Sequence, residues 1–178
     1  MFNEKIHTRE LVFLASLISL NIVLSRIASI KIAIGSIESI RIGFGALPVI
    51  LSGIMFGPIA GGIVGSIGDI VGYYINPLGP YMPHFTLTAA LTGIIPPLIL
   101  KPIKAPIPSL WQLLIAIGVG QFISSVILVS YFLQILFKIP IVTTLPSKVI
   151  GEVINVPIYA LFTQMLLKKI NMIYFKAR

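Results

Sequence analysis

Long apolar runs, broken by proline, glycine and charged residues, dominate this chain and predict helices that cross a membrane. The interruptions divide the sequence into six apolar segments, near residues 10–30, 42–56, 58–76, 84–100, 109–137 and 147–169. A membrane-spanning helix needs about 20 apolar residues, so the 178-residue chain has room for six spans joined by short loops. The pattern predicts an all-α integral membrane protein, in which residues 1–178 form one compact bundle of about six transmembrane helices.

The composition of the chain supports this class. Hydrophobic residues make up 57% of the sequence and charged residues only 10%, whereas soluble domains average about 25% charged residues. The absence of cysteine excludes disulfides, thiolate metal ligands and cysteine nucleophiles. The N-terminal segment carries both charge signs and leads into the first apolar run without a small-residue cleavage site, so we expect the first helix to be retained.

Glycine marks the places where helices turn or pack closely. Gly57 followed by Pro58 predicts a tight turn between the second and third spans. The third span carries two pairs of glycines four residues apart, a spacing that allows close backbone contact between membrane helices. We expect the partner helices to belong to the same chain. The two pairs are Gly61 with Gly65 and Gly68 with Gly72.

The first span has small residues at the same spacing, Ala15 and Ser19. Flanking aliphatic residues would give this face a smooth apolar surface. The surface could contact another protein, but such pairs also occur by chance in membrane helices. The spacing alone leaves both interpretations open.

Asp69 is the only formally charged residue between Ile42 and Leu100. A charged side chain at bilayer depth costs about 2.5 to 3.5 kcal/mol on insertion scales, so it persists where it faces a cavity, a partner or a substrate path. One interpretation is a functional residue in such a path. The other is a polar anchor between helices.

The distribution of lysine and arginine predicts the orientation. Six spans place both termini on one side, and cytoplasmic termini put more cations inside than outside, as the positive-inside rule requires. The predicted cytoplasmic cations are Lys5, Arg9, Lys101, Lys104, Lys168, Lys169, Lys176 and Arg178, and the outer ones are Arg26, Lys31, Arg41, Lys138 and Lys148. The outer cations suit capture of an anionic solute, although Arg26 and Lys31 could also extend to the interface from the end of the first helix.

Aromatic rings and charges of both signs are predicted near the outer ends of the spans. Such a mixture suits an organic ligand better than an inorganic ion. His84 could bind a ligand or simply cap the fourth span. The candidate ligand-binding residues are Arg26, Arg41, Phe44, Asp69, Tyr73, Tyr81, His84, Phe85, Thr86, Lys148, Glu152 and Asn155.

The sequence carries no catalytic or nucleotide-binding signature. GxxxxGK[ST], HExxH and GxSxG motifs are absent, and a serine nucleophile at Ser124 or Ser125 would lack an orienting third group. We predict no catalytic residue and no metal site. Because 178 residues leave little room for the large repeats of a secondary transporter, the chain either forms an oligomeric pore or binds a solute that other subunits move.

Four stretches resemble one known family. They are Arg41-Ile-Gly-Phe-Gly-Ala-Leu-Pro48, Gly53-Ile-Met-Phe-Gly-Pro58, the glycines that lead to Gly68-Asp69, and Tyr81-Met-Pro-His-Phe-Thr-Leu-Thr-Ala89. These residues resemble the S components of energy-coupling factor (ECF) vitamin transporters, most closely the folate-specific ones. The resemblance covers essentially the whole chain. Ala15 and Ser19 resemble the family's Ala-xxx-Ala docking surface, with serine in the second position.

The resemblance implies a substrate-binding subunit in the bacterial cell membrane that captures folate on the outer face. In this family the partners are the transmembrane coupling subunit EcfT and two ATPase subunits. ATP is used by those partners, so the chain itself needs no cofactor, and no nucleic acid is involved. The S component is thought to topple in the membrane and carry its vitamin inward.

Folate has a flat pterin ring, an aminobenzoyl ring and a glutamate tail. Asp69 or Glu152 could accept a pair of hydrogen bonds from the pterin, aromatic residues could stack on the rings, and Arg26, Arg41 or Lys148 could pair with the tail. Thiamine, riboflavin and pantothenate are alternative vitamins. A small membrane enzyme acting on a lipid and a self-assembling channel are the other function classes, but the first would need an aspartate-rich metal motif and the second a polar helix stripe.

Overall fold

The computed structural model describes residues 8–26, 29–34, 37–77, 81–103 and 107–176 of the chain. Most of these residues are helical, which confirms the predicted all-α class. The helices are α1 (Thr8–Arg26), α2 (Ala46–Phe56), α3 (Pro58–Ile75), α4 (Pro83–Leu100), α5 (Leu110–Gln121), α6 (Val129–Phe137) and α7 (Ile141–Lys176). A π-helical segment, Phe122–Leu128, joins α5 to α6.

A β-hairpin lies between α1 and α2. The predicted spans assign both ends of this segment to the flanking helices. Strands β1 (Ser29–Ile34) and β2 (Ile37–Gly43) pair antiparallel. The prediction that helix extends to residue 30 and begins again at 42 was therefore wrong. Isoleucine recurs at nearly every second position in this segment, and a period of two with β-branched residues favours a strand.

Five helical stretches among the described residues are long and apolar enough to cross a membrane. They are Thr8–Arg26, Pro58–Ile75, Pro83–Leu100, Leu110–Phe137 and Ile141–Ile170. α2 has only 11 residues, which reach about 16 Å at 1.5 Å per residue. This length is about half of a hydrocarbon core of about 30 Å, so α2 crosses only part of the membrane. The hairpin precedes α2 in the chain.

Local sequence features set the helix ends. Gly57 has a positive φ of 95°, a conformation that glycine adopts readily, and Pro58 opens α3 as predicted. At α5 the Ser109 hydroxyl accepts from the Gln112 backbone N–H at 3.4 Å, and the Gln112 side chain accepts from the Ser109 N–H at 2.8 Å. This reciprocal capping box fixes the first turn of α5.

Two groups of buried side chains hold the bundle together. The larger group joins α2, α4, α5 and α7 and includes Leu47, Ile50, Leu100, Leu113, Ile117 and Tyr159. The smaller group joins α1, α2 and α3 and consists of Leu17, Val49, Leu51 and Val64. The long outer faces of the helices remain apolar and exposed, as expected for surfaces that contact lipid.

Candidate functional site

A cavity of about 460 Å³ lies inside the bundle. Its walls come from α1, α3, α4, α7, the end of β2, the start of α2 and the continuous α5–π–α6 helix. Small residues leave the space open: Gly43, Gly45, Ala46, Gly65, Ala89 and Gly151 all line it. The volume falls within the range of about 300 to 1,000 Å³ that is typical of organic ligand sites.

The glycines of α3 bring its two neighbours into contact. A Cβ at Gly61 would overlap the carbonyl oxygen of Gly93, and one at Gly65 would overlap that of Ala89, both on α4. A Cβ at Gly68 would overlap the side-chain oxygen of Asn21 on α1. The first glycine pair therefore faces α4 and the second faces α1, and both partners lie in the same chain, as predicted.

This close packing joins three helices through Asp69. The Thr86 hydroxyl on α4 donates to Asp69 Oδ2 at 2.8 Å. Because its one proton is used there, Thr86 accepts from the Tyr81 hydroxyl at 3.0 Å. An Arg26 nitrogen at the end of α1 lies 3.7 Å from Asp69 Oδ1, and a second nitrogen donates to the Asn76 carbonyl at 3.3 Å. The intramembrane acid thus links α1, α3 and α4 while it lines the cavity.

The opposite wall carries a second polar group. Thr92 on α4 and Ser124 in the π segment lie 3.0 Å apart at their hydroxyl oxygens. The Gln121 side-chain oxygen lies 3.5 Å from both hydroxyls. Ser125 donates a hydrogen bond to Glu152 on α7, and Lys148 one turn earlier interacts favourably with the same carboxylate. The polar residues of the cavity therefore come from segments that lie far apart in the sequence.

The π segment keeps one long helix facing this cavity. Every fourth residue between 121 and 137 lines it: Gln121, Ser125, Val129, Leu133 and Phe137. In an α-helix, a step of four residues rotates about 40° past one turn. In a π-helix the same step falls short of a turn, because each turn takes more residues. The two deviations offset each other, so all five side chains point to one side.

Two hydrogen bonds fix the end of the hairpin beside the cavity. The Tyr159 hydroxyl on α7 donates to the Gly43 carbonyl at 2.6 Å. The Asn21 side-chain amide on α1 donates to the Gly45 carbonyl at 2.7 Å. The segment between hairpin and α2 is thereby held by α1 on one side and α7 on the other.

Six of the predicted ligand-binding residues line the cavity: Arg26, Asp69, Phe85, Lys148, Glu152 and Asn155. Thr86 and Tyr81 lie behind them, in the hydrogen-bonded chain that ends at Asp69. Tyr73 packs on Tyr81, with ring centroids 5.2 Å apart. These residues are brought together, although they come from four different helices and, for Tyr81, from the segment that precedes α4.

Three predicted residues are placed otherwise. Phe44 packs against Phe162 at a centroid distance of 5.4 Å, and His84 packs against Phe132 at 4.9 Å; neither lines the cavity. Arg41 pairs in register with Lys31 on the hairpin, and its side chain lies outside the described part of the structure. Binding roles for these residues remain predictions.

Sequence reasoning missed several uncharged cavity residues. They are Asn21, Ser25, Thr88, Thr92, Gln121, Ser147 and Tyr159. The available signal was a polar residue at three- or four-residue spacing inside an apolar span, as in Thr88 with Thr92 or Gln121 with Ser124 and Ser125. Among the described residues no group of three histidine, cysteine, aspartate or glutamate side chains is arranged to hold a metal ion.

The predicted docking pair lies on the outer surface of α1. Ala15 and Ser19 are both exposed, and Leu11, Val12, Leu20 and Val23 on the same helix are exposed as well. Only Leu17 and Asn21 of α1 are buried. One face of this helix therefore points away from the bundle.

A bundle of apolar helices around a polar cavity defines a membrane-embedded solute-binding protein. Residues 5–172 match the family model "ECF-type riboflavin transporter, S component", and the chain belongs to this family of S components. Members of the family are subunits of transporters, which confirms that the chain is not an enzyme.

Individual relatives carry more specific names. The chain is 35% identical over 115 residues to "Folate transporter FolT" of Clostridium novyi (strain NT), and this match covers 65% of each chain. It thus spans slightly less than two thirds of the curated relative. A crystal structure of FolT bound with folic acid superposes with a TM-score of 0.74 at 26% identity, covering 94% of this chain and 95% of the other.

A second solved structure shows how far the fold extends. The S component for biotin of an ECF-type ABC transporter superposes with a TM-score of 0.72 at 18% identity, covering 97% of this chain and 95% of the other. At this identity the likeness concerns the fold alone.

Proposed function

We propose that this chain is the folate-binding S component of an ECF-type transporter. The observation that carries the proposal is a cavity of ligand size with two acids and two bases in its walls, in a chain similar over nearly its whole length to FolT, which was crystallised with folic acid. The 35% identity to the curated folate transporter FolT supports the same substrate.

The chemistry of folate suits these walls. Phe85 offers an aromatic face to a flat ring, and the carboxylates of Asp69 and Glu152 offer acceptors to ring N–H groups. Lys148 offers a cation to the glutamate tail. The hairpin register pairs two further cationic residues, Lys31 and Arg41.

Riboflavin is the second candidate substrate. The description of the family model that matches the chain names riboflavin. The tricyclic ring of riboflavin also needs a flat cavity with polar edges. The two vitamins differ in charge, because folate brings two carboxylates and riboflavin none. The cations around the cavity favour folate.

Delivery of the vitamin requires partners. The proposed partners are the transmembrane coupling subunit EcfT and two ATPase subunits, and ATP is consumed by the ATPases. The exposed face of α1 around Ala15 and Ser19 is the proposed docking surface, because small residues at this spacing let another helix approach closely. The proposed location is the bacterial plasma membrane, with both termini cytoplasmic, so that the cavity opens to the outside.

The experiment is calorimetric titration of the purified, detergent-solubilised chain, with folate, riboflavin and thiamine tested in parallel. We expect folate to bind with one-to-one stoichiometry in the absence of any partner. Binding of riboflavin or thiamine without folate would keep the transporter class and refute the substrate. A folded sample that binds none of the three would refute the proposal.

A further inference from the structure

The two carboxylates of the cavity differ in what their oxygens contact. Asp69 uses both oxygens within the protein: Oδ2 accepts from Thr86 at 2.8 Å, and Oδ1 lies 3.7 Å from Arg26. Glu152 accepts a hydrogen bond from Ser125. Its Oε2 atom, however, is buried and has no hydrogen-bond partner among the described residues.

A buried carboxylate oxygen without a donor is unfavourable, because hydrogen bonds to water have been lost and nothing replaces them. Buried polar atoms are nearly always satisfied, so an exception in the wall of a ligand cavity points to a donor that comes with the ligand. Glu152 lies in that wall. Asp69 lies there as well, but each of its two oxygens already faces a protein group, Thr86 or Arg26.

The neighbours of Glu152 also suit recognition of a ring edge. Ser125 holds the carboxylate from the π segment, and Lys148 balances its charge from one helical turn away. Asn155, one turn further along α7, is buried and lines the same cavity. A carboxylate held in this way can accept two parallel N–H bonds from one planar group.

We propose that Glu152 determines ring specificity by accepting the paired N–H groups of a 2-amino-4-oxopyrimidine edge, whereas Asp69 is a positioning residue that joins α1, α3 and α4. The inference rests on the proposed function, because folate carries this edge on its pterin ring. It separates two acids whose roles the sequence could not distinguish.

The test compares two ligands on four proteins. Folate and a folate analogue without the 2-amino group are titrated into the wild-type chain, Glu152→Gln, Asp69→Asn and the control Glu10→Gln in the first turn of α1. We expect wild type to prefer folate, and Glu152→Gln to lose about 10- to 100-fold in folate affinity, the range for charge-assisted hydrogen bonds. Glu152→Gln should bind the analogue nearly as tightly as folate. Asp69→Asn should lower the thermal stability while it keeps the preference for folate.

Three results would overturn the inference. Unchanged folate affinity in Glu152→Gln would do so, and so would loss of the preference in Asp69→Asn instead. Equal affinity of wild type for the two ligands would also overturn it, and this measurement needs no variant to fold. If wild type binds no folate at all, the proposed function itself has failed, and the two failures are therefore distinguishable.

Discussion

Removing the hydroxyl of Thr86 should destabilise the bundle, because that hydroxyl connects three of its helices. In Thr86→Val the shape is nearly kept, but the donor to Asp69 at 2.8 Å and the acceptor for Tyr81 at 3.0 Å are both lost. Thr86 is buried, so water does not replace either bond freely. Among the described residues, Asp69 then keeps Arg26 on α1 as its partner.

The magnitude follows from the two bonds. A hydrogen bond to a charged group contributes about 1.5 to 3 kcal/mol and a neutral one about 0.5 to 1.5 kcal/mol in soluble proteins. Side-chain hydrogen bonds between membrane helices average about 0.6 kcal/mol, with a maximum of about 1.7. Tyr81 is 39% exposed, which reduces its share. We therefore expect Thr86→Val to lower the free energy of unfolding by about 1 to 3 kcal/mol.

The assay is reversible unfolding in mixed detergent micelles, followed by far-UV circular dichroism. Thr86→Ser keeps the hydroxyl and serves as the matched control. A double-mutant cycle with Asp69→Ala, which removes both acceptor oxygens, isolates the direct bond, and we expect a coupling energy of about 1 kcal/mol or more. Equal stabilities of Thr86→Val and Thr86→Ser, together with no coupling to Asp69, would refute the role assigned to this network.

Three further predictions concern packing, capture and assembly. Gly93→Ala should cost about 1 to 3 kcal/mol of stability by overpacking the α3–α4 contact, whereas Gly118→Ala, where the new Cβ would lie 3.6 Å from its nearest neighbour, should change the unfolding midpoint little. Arg41→Ala should weaken folate binding, measured by calorimetry, about 10-fold or more, whereas Lys104→Ala on the predicted opposite face should not. Equal effects of the two substitutions would contradict the pairing of Arg41 with the glutamate tail of folate. Ala15→Leu should prevent co-purification with a coupling subunit while folate affinity stays unchanged, and intact assembly would count against the α1 docking surface.

The helical architecture could be predicted because lipid imposes one solution on apolar segments. A run of about 20 apolar residues in a membrane must satisfy its own backbone, and a helix does so within the segment. The glycine pairs of α3 could also be predicted as contact points, because their spacing places both members on one helix face. Which neighbour each pair would face could not be predicted, since that choice depends on the packing of α1 and α4 around α3.

The hairpin shows where span counting fails. Residues 29–43 are apolar enough to be counted into the flanking helices, and the alternation of isoleucine is the only local sign of strands. The predicted second span was longer than α2 for the same reason, because it included residues of the strand that precedes this helix. A period of two inside an apolar chain should therefore be tested before span ends are assigned.

The site was predictable mainly where charge was conspicuous, although the uncharged Phe85 and Asn155 were predicted as well. Asp69, Lys148 and Glu152 stand out in apolar surroundings, and each lines the cavity. His84 and Phe44 looked equally suitable, but both side chains pack against aromatic rings outside the cavity. Uncharged residues such as Gln121 gave a weaker signal, the spacing of polar residues inside an apolar span. The place of Gln121 in the cavity also depends on the π segment, which no pattern in the sequence indicated.

The division of the cavity into two walls explains how one fold could serve different vitamins. The wall that contains Asp69 is tied to glycine contacts among α1, α3 and α4, so a change there disturbs the packing of the bundle itself. The wall of the π segment and α7 presents Ser125 and Glu152, and neither residue takes part in the glycine contacts among α1, α3 and α4. We therefore expect substitutions in this second wall to change the ligand at a lower cost in stability. Exchange of the α7 wall is therefore the change that we expect to alter vitamin specificity first.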